Sequence, residues 1–244
     1  MNEARAIGGT SDGTTTGGLA ARRAPAGTDQ ATSRLLLCGV AAGPIYVVVG
    51  GIQVLTRDGF DLTRHSLSLM SNGDLGWIQI TNFLLTGLLV IACAIGMRRV
   101  LPPGRAGTWG PRLLGVHGVG LLAAGAFVAD PYDGFPPGTP PGMPTSVSWH
   151  GALHLVAALV AFLSLIAACL VFARLWVSLG RRGPAAYAAG TGVCYLAAFV
   201  GFFSGSGQGW SVVALSAAVV LGWAWLSITA GWLRSQRPAE PIRR

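Results

Sequence analysis

Residues 149–173 read WHGALHLVAALVAFLSLIAACLVFA, twenty-five positions without an acidic residue or an arginine, opened by two histidines four residues apart. A bilayer core about 30 Å thick needs about 20 apolar residues at about 1.5 Å of helical rise each. The run is therefore long enough to cross a membrane, and the rest of the chain follows from that reading.

Working outward, five further apolar segments qualify or nearly so: Leu35–Leu55, Trp77–Met97, Leu113–Ala129, Pro184–Ser204 and Trp210–Leu233. The third is the shortest. Hydrophobic residues make up 52% of the chain and charged ones only 11%, against about 25% charged in soluble domains. The mean hydropathy is +0.56. These features predict an all-α integral membrane protein with six transmembrane helices.

The charges orient it. Of the 17 basic residues, all arginine, 15 fall before the first span, after the last, or in the links after spans two and four. Only Arg57 and Arg64 lie on the other side. The positive-inside rule then puts both termini in the cytoplasm. Residues 1–34, rich in Gly, Thr and Ala, are expected to form a disordered tail, and residues 234–244 a basic one. The first span reads as an uncleaved insertion signal.

Composition also excludes chemistry. With no lysine, the chain can form neither a Schiff base nor a Walker A phosphate loop. Its arginines are dispersed at segment ends rather than along one stripe, which argues against nucleic acid despite a net charge of +8. Cys38, Cys93, Cys169 and Cys194 all sit inside apolar runs without paired spacing, as buried small hydrophobes do.

Two links on the arginine-poor side are long: TRDGFDLTRHSLSLMSNGDLG (56–76) and DPYDGFPPGTPPGMPTSVS (130–148). In the first, Asp61 can cap a short helix whose Leu62, Ser66, Leu69 and Met70 share a face, followed by a turn at SNGD. The second, dense in proline and glycine, must be extended and turn-rich. Together they can roof the bundle.

Polar residues converge beneath that roof. His150 and His154 lie on one helical face with the small Ala157, Ala158 and Ala161, while Leu153, Val156, Val160 and Leu163 suit lipid. Gln79, Asn82 and Thr86 form a stripe at the same end of the second span, where Asp130 closes the third. His65, Ser66 and Asp61 hang above. His65, His150, His154 and Asp130 supply the ligand count for a divalent metal such as zinc. The glutamate of a metallohydrolase pair is missing, with Gly151 in its place, so Asp130 or Asp61 would be the general base. Ser66 or Ser68 with a histidine and an aspartate would be a nucleophilic alternative. Gln79 and Asn82 would line a ligand pocket. His117, among Gly115, Gly118 and Gly120, reads as a helix-packing residue, and Trp77, Trp149, Trp210 and Trp232 as interfacial anchors.

GFDLTRHSLSLMSNGDLGWIQITNFLLTGLL, DPYDGFPPGTPPG and SWHGALHL resemble the bacterial six-span membrane family catalogued as domain of unknown function 998, over about Leu35 to Leu233. The matching positions are Asp61, His65, Ser66, Ser68, Trp77, Asn82, Phe83, Gly87, Asp130, Pro131, Gly151 and His154. The resemblance implies a multi-pass protein of a bacterial plasma membrane and carries over no reaction, substrate or cofactor. Three functions stand as expectations: a small-ligand or lipid site with a metal-assisted hydrolase version, a proton-coupled transporter, and a non-catalytic membrane assembly partner.

Overall fold

The structure, a computed structural model, describes residues 26–205 and 208–236. Six α-helices follow one another: α1 (Ala26–Thr56), α2 (Gly76–Val100), α3 (Arg105–Ala126), α4 (Trp149–Ser178), α5 (Arg182–Ser204) and α6 (Gly209–Ser235). Each packs against its neighbours in sequence, and α6 returns to α1, so the helices form a closed ring. The links at 101–104, 179–181 and 205–208 are too short for anything but antiparallel neighbours.

Five of the helices are long and apolar enough to cross a membrane; α3 is not among them. Arg105, Arg112, His117 and six glycines dilute its apolar residues. It still packs along both α2 and α4. The α2–α3 approach is close: a Cβ on Gly87 would lie 2.8 Å from the Gly118 carbonyl oxygen, and one on Gly118 equally near that of Gly87. Only glycine permits this contact on both sides.

Two expected boundaries move. Residues 26–34, assigned to a disordered tail, are helical: α1 begins at Ala26, Thr32 is buried, and Ser33 Oγ accepts a hydrogen bond from Arg234 Nε at 3.1 Å. Residues 1–25 and 237–244 lie outside the described part. Likewise α3 starts at Arg105 rather than Leu113. Apolar runs mark what lipid covers, whereas the backbone hydrogen-bond ladder continues past the lipid boundary.

Aromatic side chains fill the ring. Tyr46 stacks on Trp223 with centroids 4.7 Å apart, and His117 meets Trp223 edge-on at 5.9 Å. His117 is buried and its Nδ1–H donates to the Ala161 carbonyl at 2.9 Å, the helix-packing role expected of it. Leu153, Val156, Val160 and Leu163 of α4 face outward, opposite buried His154, Ala157 and Ala161.

Candidate functional site

At one end of the ring, α3 and α4 cap each other. The last carbonyls of a helix and its first N–H groups have no partners within it. Ser148 is the N-cap of α4: its Oγ accepts from Gly151 N–H at 3.0 Å. Ser148 in turn donates its N–H to Asp130 Oδ2 at 2.8 Å and its hydroxyl to Oδ1. In the other direction, His154 Nδ1 meets the carbonyls of Ala124 at 3.1 Å and Phe127 at 2.7 Å, and His150 Nδ1 that of Val128 at 3.1 Å. A carbonyl only accepts, so both histidines carry a proton on Nδ1. The imidazole pair stands at the mouth of α4 because it closes the end of α3. Burial pushes the Asp130 carboxyl up, but the Ser148 hydrogen bonds and the nearby His150 and His154 outweigh it and hold the group below its ordinary value.

The two long links interlock over this end. Arg64 forks onto Asp133 at 2.7 and 2.9 Å, and with Gly142 N–H it lowers that carboxyl to about 2. Arg57 donates to the carbonyls of Met70 at 3.0 Å and Asn72 at 2.6 Å and lies over the buried Phe135 ring. His65, fully enclosed among Phe60, Tyr132 and Phe135, bridges the loops. The Asp61 N–H donates to its Nδ1 at 2.9 Å, which leaves Nε2 as the protonated nitrogen facing the Asp133 carbonyl at 3.0 Å. Asp61 does not cap a helix as expected. Its carboxylate accepts from Thr63 N–H and hydroxyl at 2.8 and 2.7 Å, which holds it below its ordinary value, and the short 3-10 helix begins only at Leu67. Its Leu69 and Met70 are buried beneath the roof.

Below lies a cluster of amides. Gln79 Oε1 accepts from Gln53 Nε2 at 2.8 Å and from Asn82 Nδ2 at 3.4 Å; Asn82 Nδ2 also reaches the Tyr46 carbonyl at 3.3 Å. Thr86 Oγ1 donates to the Asn82 carbonyl at 2.6 Å. Gln53, Gln79, Asn82 and Thr86 are 2%, 0%, 3% and 0% exposed, so no bulk water reaches them. Yet Gln53 Oε1, Gln79 Nε2 and Asn82 Oδ1 complete no hydrogen bond of good geometry, although the Tyr46 hydroxyl interacts with Gln79. Gln53 and Gln79 each sit three residues from their helix ends, about 4.5 Å below the roof. Gln53 was not among the residues singled out from sequence; the signal was a lone glutamine in an otherwise apolar span.

A family described as "Protein of unknown function (DUF998)" matches residues 40–232. The chain belongs to the DUF998 family. No curated protein and no solved structure matches it.

The matched region takes in the whole roof, the mutual cap and the amide cluster, and within it the candidate residues sort into three groups. Among the described residues of this DUF998 chain, no three His, Cys, Asp or Glu side chains gather to hold a metal ion. The proposed zinc set of His65, His150, His154 and Asp130 is not assembled. Both nitrogens of His65 and both oxygens of Asp130 are engaged, and His150 Nδ1, 3.9 Å from Asp130 Oδ1, already faces Val128. The proposed catalytic set is divided too: Asp61 and Ser66 belong to the roof, Asp130 to the cap, and no hydrogen bond or ion pair joins any two of them. The hydroxyl of Ser66 meets those of Ser68 at 3.2 Å and Tyr132 at 3.5 Å, not an imidazole. Gln79 and Asn82, expected to line a pocket, lie together in the amide cluster.

Proposed function

We propose that this DUF998 protein crosses a cell membrane six times with both termini cytoplasmic, and binds a small, neutral, hydrogen-bonding molecule at the amide cluster beneath its roof. The six-span topology is supported by the packing of α3 between α2 and α4, by the antiparallel links and by the arginine asymmetry.

The observation that carries the binding role is the set of three buried amide ends without a well-formed hydrogen bond, of which only Gln79 has a further polar neighbour, the Tyr46 hydroxyl. A buried polar group left unpaired costs about 1–3 kcal/mol, so the cluster favours whatever supplies its missing partners. The set mixes donors with acceptors and contains no charge. A neutral ligand bearing hydroxyl or amide groups fits it; a bare ion does not. Arg57, Arg64 and His65 hold the roof closed, so entry requires the loops to part.

Thermal unfolding of the detergent-purified protein against neutral amides and polyols, acetamide and glycerol included, tests the reading. At least one probe should raise the transition saturably in the wild type and not in Gln79→Leu. A flat response across the panel, or one unchanged in the variant, would remove the binding role. Cysteine labelling of both ends from the cytoplasmic side alone checks the orientation.

A further inference from the structure

At the end of the ring opposite the roof, α4, α5 and α6 leave a groove of about 230 Å³ walled by Trp176, Gly183, Tyr187, Trp225, Ile228 and Trp232. Its walls are almost wholly apolar and aromatic, and Ile228 is 58% exposed on the outer surface of the ring. A chain of contacts builds its mouth. Gly180, at φ +72°, ends α4, and the Arg181 N–H turns back to the Trp176 carbonyl at 2.8 Å, a helix stop that needs a left-handed residue. This return sets the Arg181 guanidinium 4.5 Å over the Trp232 ring, and Trp232 packs edge-on against Trp176 at 4.6 Å. Arg182 follows at the start of α5, and both arginines are exposed. No acidic residue stands on α4, α5, α6 or the 179–181 link.

We propose that this groove holds one anionic glycerophospholipid, its phosphate at Arg181 and Arg182 and an acyl chain along Tyr187, Trp225 and Ile228. An aromatic slot open to the bilayer takes an acyl chain whatever the headgroup. The two arginines, one fixed over Trp232 before any lipid arrives, select a negative one. Basic pockets between helices at the arginine-rich face of a membrane protein act in this way. The unpaired N–H groups of the first turn of α5 add positive potential at the same place. Gly183 lines the groove, and a Cβ there would meet nothing within 4 Å.

The test is native mass spectrometry of the full chain after equilibration with equimolar dioleoylphosphatidylglycerol and dioleoylphosphatidylcholine. The wild type should retain one phosphatidylglycerol in preference. Arg181→Gln/Arg182→Gln should weaken that retention by about tenfold or more. Gly183→Leu, with both arginines present, should abolish it by filling the slot. Arg98→Gln/Arg99→Gln, the same charge loss at the end of α2, should leave it unchanged. Thermal unfolding of each variant confirms that it is folded. Equal retention of the two lipids by the wild type would overturn the site. So would an equal loss in the Arg98/Arg99 variant, which would mean diffuse charge attraction, or undiminished retention in Gly183→Leu.

Discussion

The carboxylate of Asp130 occupies the space that a Cβ on Gly151 would fill. This one contact couples two helix ends, because the same carboxylate holds Ser148, the N-cap of α4. The missing glutamate of a metallohydrolase motif thus has a structural reason: any side chain at this position would push Asp130 off Ser148.

Gly151→Ala should therefore destabilise the protein by about 1–3 kcal/mol, the range for forcing a methyl into a closed contact. Gly190→Ala, where a Cβ meets nothing within 4 Å, is the control and should stay near wild type. Thermal unfolding in detergent measures both. Similar behaviour of the two variants would mean that the Asp130 contact carries no stability.

The Arg64–Asp133 pair makes roof closure depend on acid. Asp133 lies below its ordinary value, so its contribution is complete above the unfolded carboxylate value of about 3.9 and is lost as pH falls through about 2. Asp61 shifts in the same direction and reinforces the change. Amide hydrogen exchange of residues 127–148, corrected for its intrinsic pH dependence, should lose protection across that window while α2 and α6 do not. Arg64→Gln should show weakened loop protection already at neutral pH. A loop equally protected in variant and wild type would mean that the pair does not hold the roof.

Elemental analysis checks the sorting of the histidines. With Nδ1 of His150 and His154 donating to carbonyls and both nitrogens of His65 engaged, purified protein offered zinc and then desalted should carry no stoichiometric metal. The His150→Ala/His154→Ala variant should match it in metal content while unfolding at lower temperature, because three carbonyls at the end of α3 lose their donors. One equivalent of zinc in the wild type, absent from the variant, would restore the ligand reading.

Much of this was legible in the residues and some was not, for physical reasons. Helical apolar runs announce themselves by length, and the small face of α4 points both His150 and His154 inward; His154 is buried, whereas the His150 side chain stays 43% exposed at the helix mouth. What each imidazole does was not legible. The partners of His154 are backbone carbonyls twenty-seven and thirty residues away, and a carbonyl carries no sequence signature. The same blindness hides the roof: in sequence Arg57 and Arg64 are only charges on the arginine-poor side, whereas the fold uses them as pins onto Met70, Asn72 and Asp133. Convergence on one end of the bundle also groups His65 with His150, although each completes a different hydrogen-bond circuit.

The amide cluster allows a test that separates pairing from packing. In Gln79→Leu the shared acceptor disappears, leaving Gln53 without its cross-helix partner and Asn82 with only the long bond to Tyr46, so stability should fall by about 2 kcal/mol. Gln53→Leu/Gln79→Leu removes both sides of the strongest pair and puts leucine against leucine between α1 and α2. Replacing both partners by apolar groups of similar size is nearly neutral, so the double variant should recover to within about 1 kcal/mol of wild type. Thermal unfolding of the four species closes the cycle. The double variant should also respond less to any probe that stabilises the wild type, since two of the three free amide ends are gone and only Asn82 Oδ1 remains. If it instead unfolds as far below wild type as the two single losses combined, the glutamines act by shape alone, and the unpaired ends are not what draws a ligand to the ring.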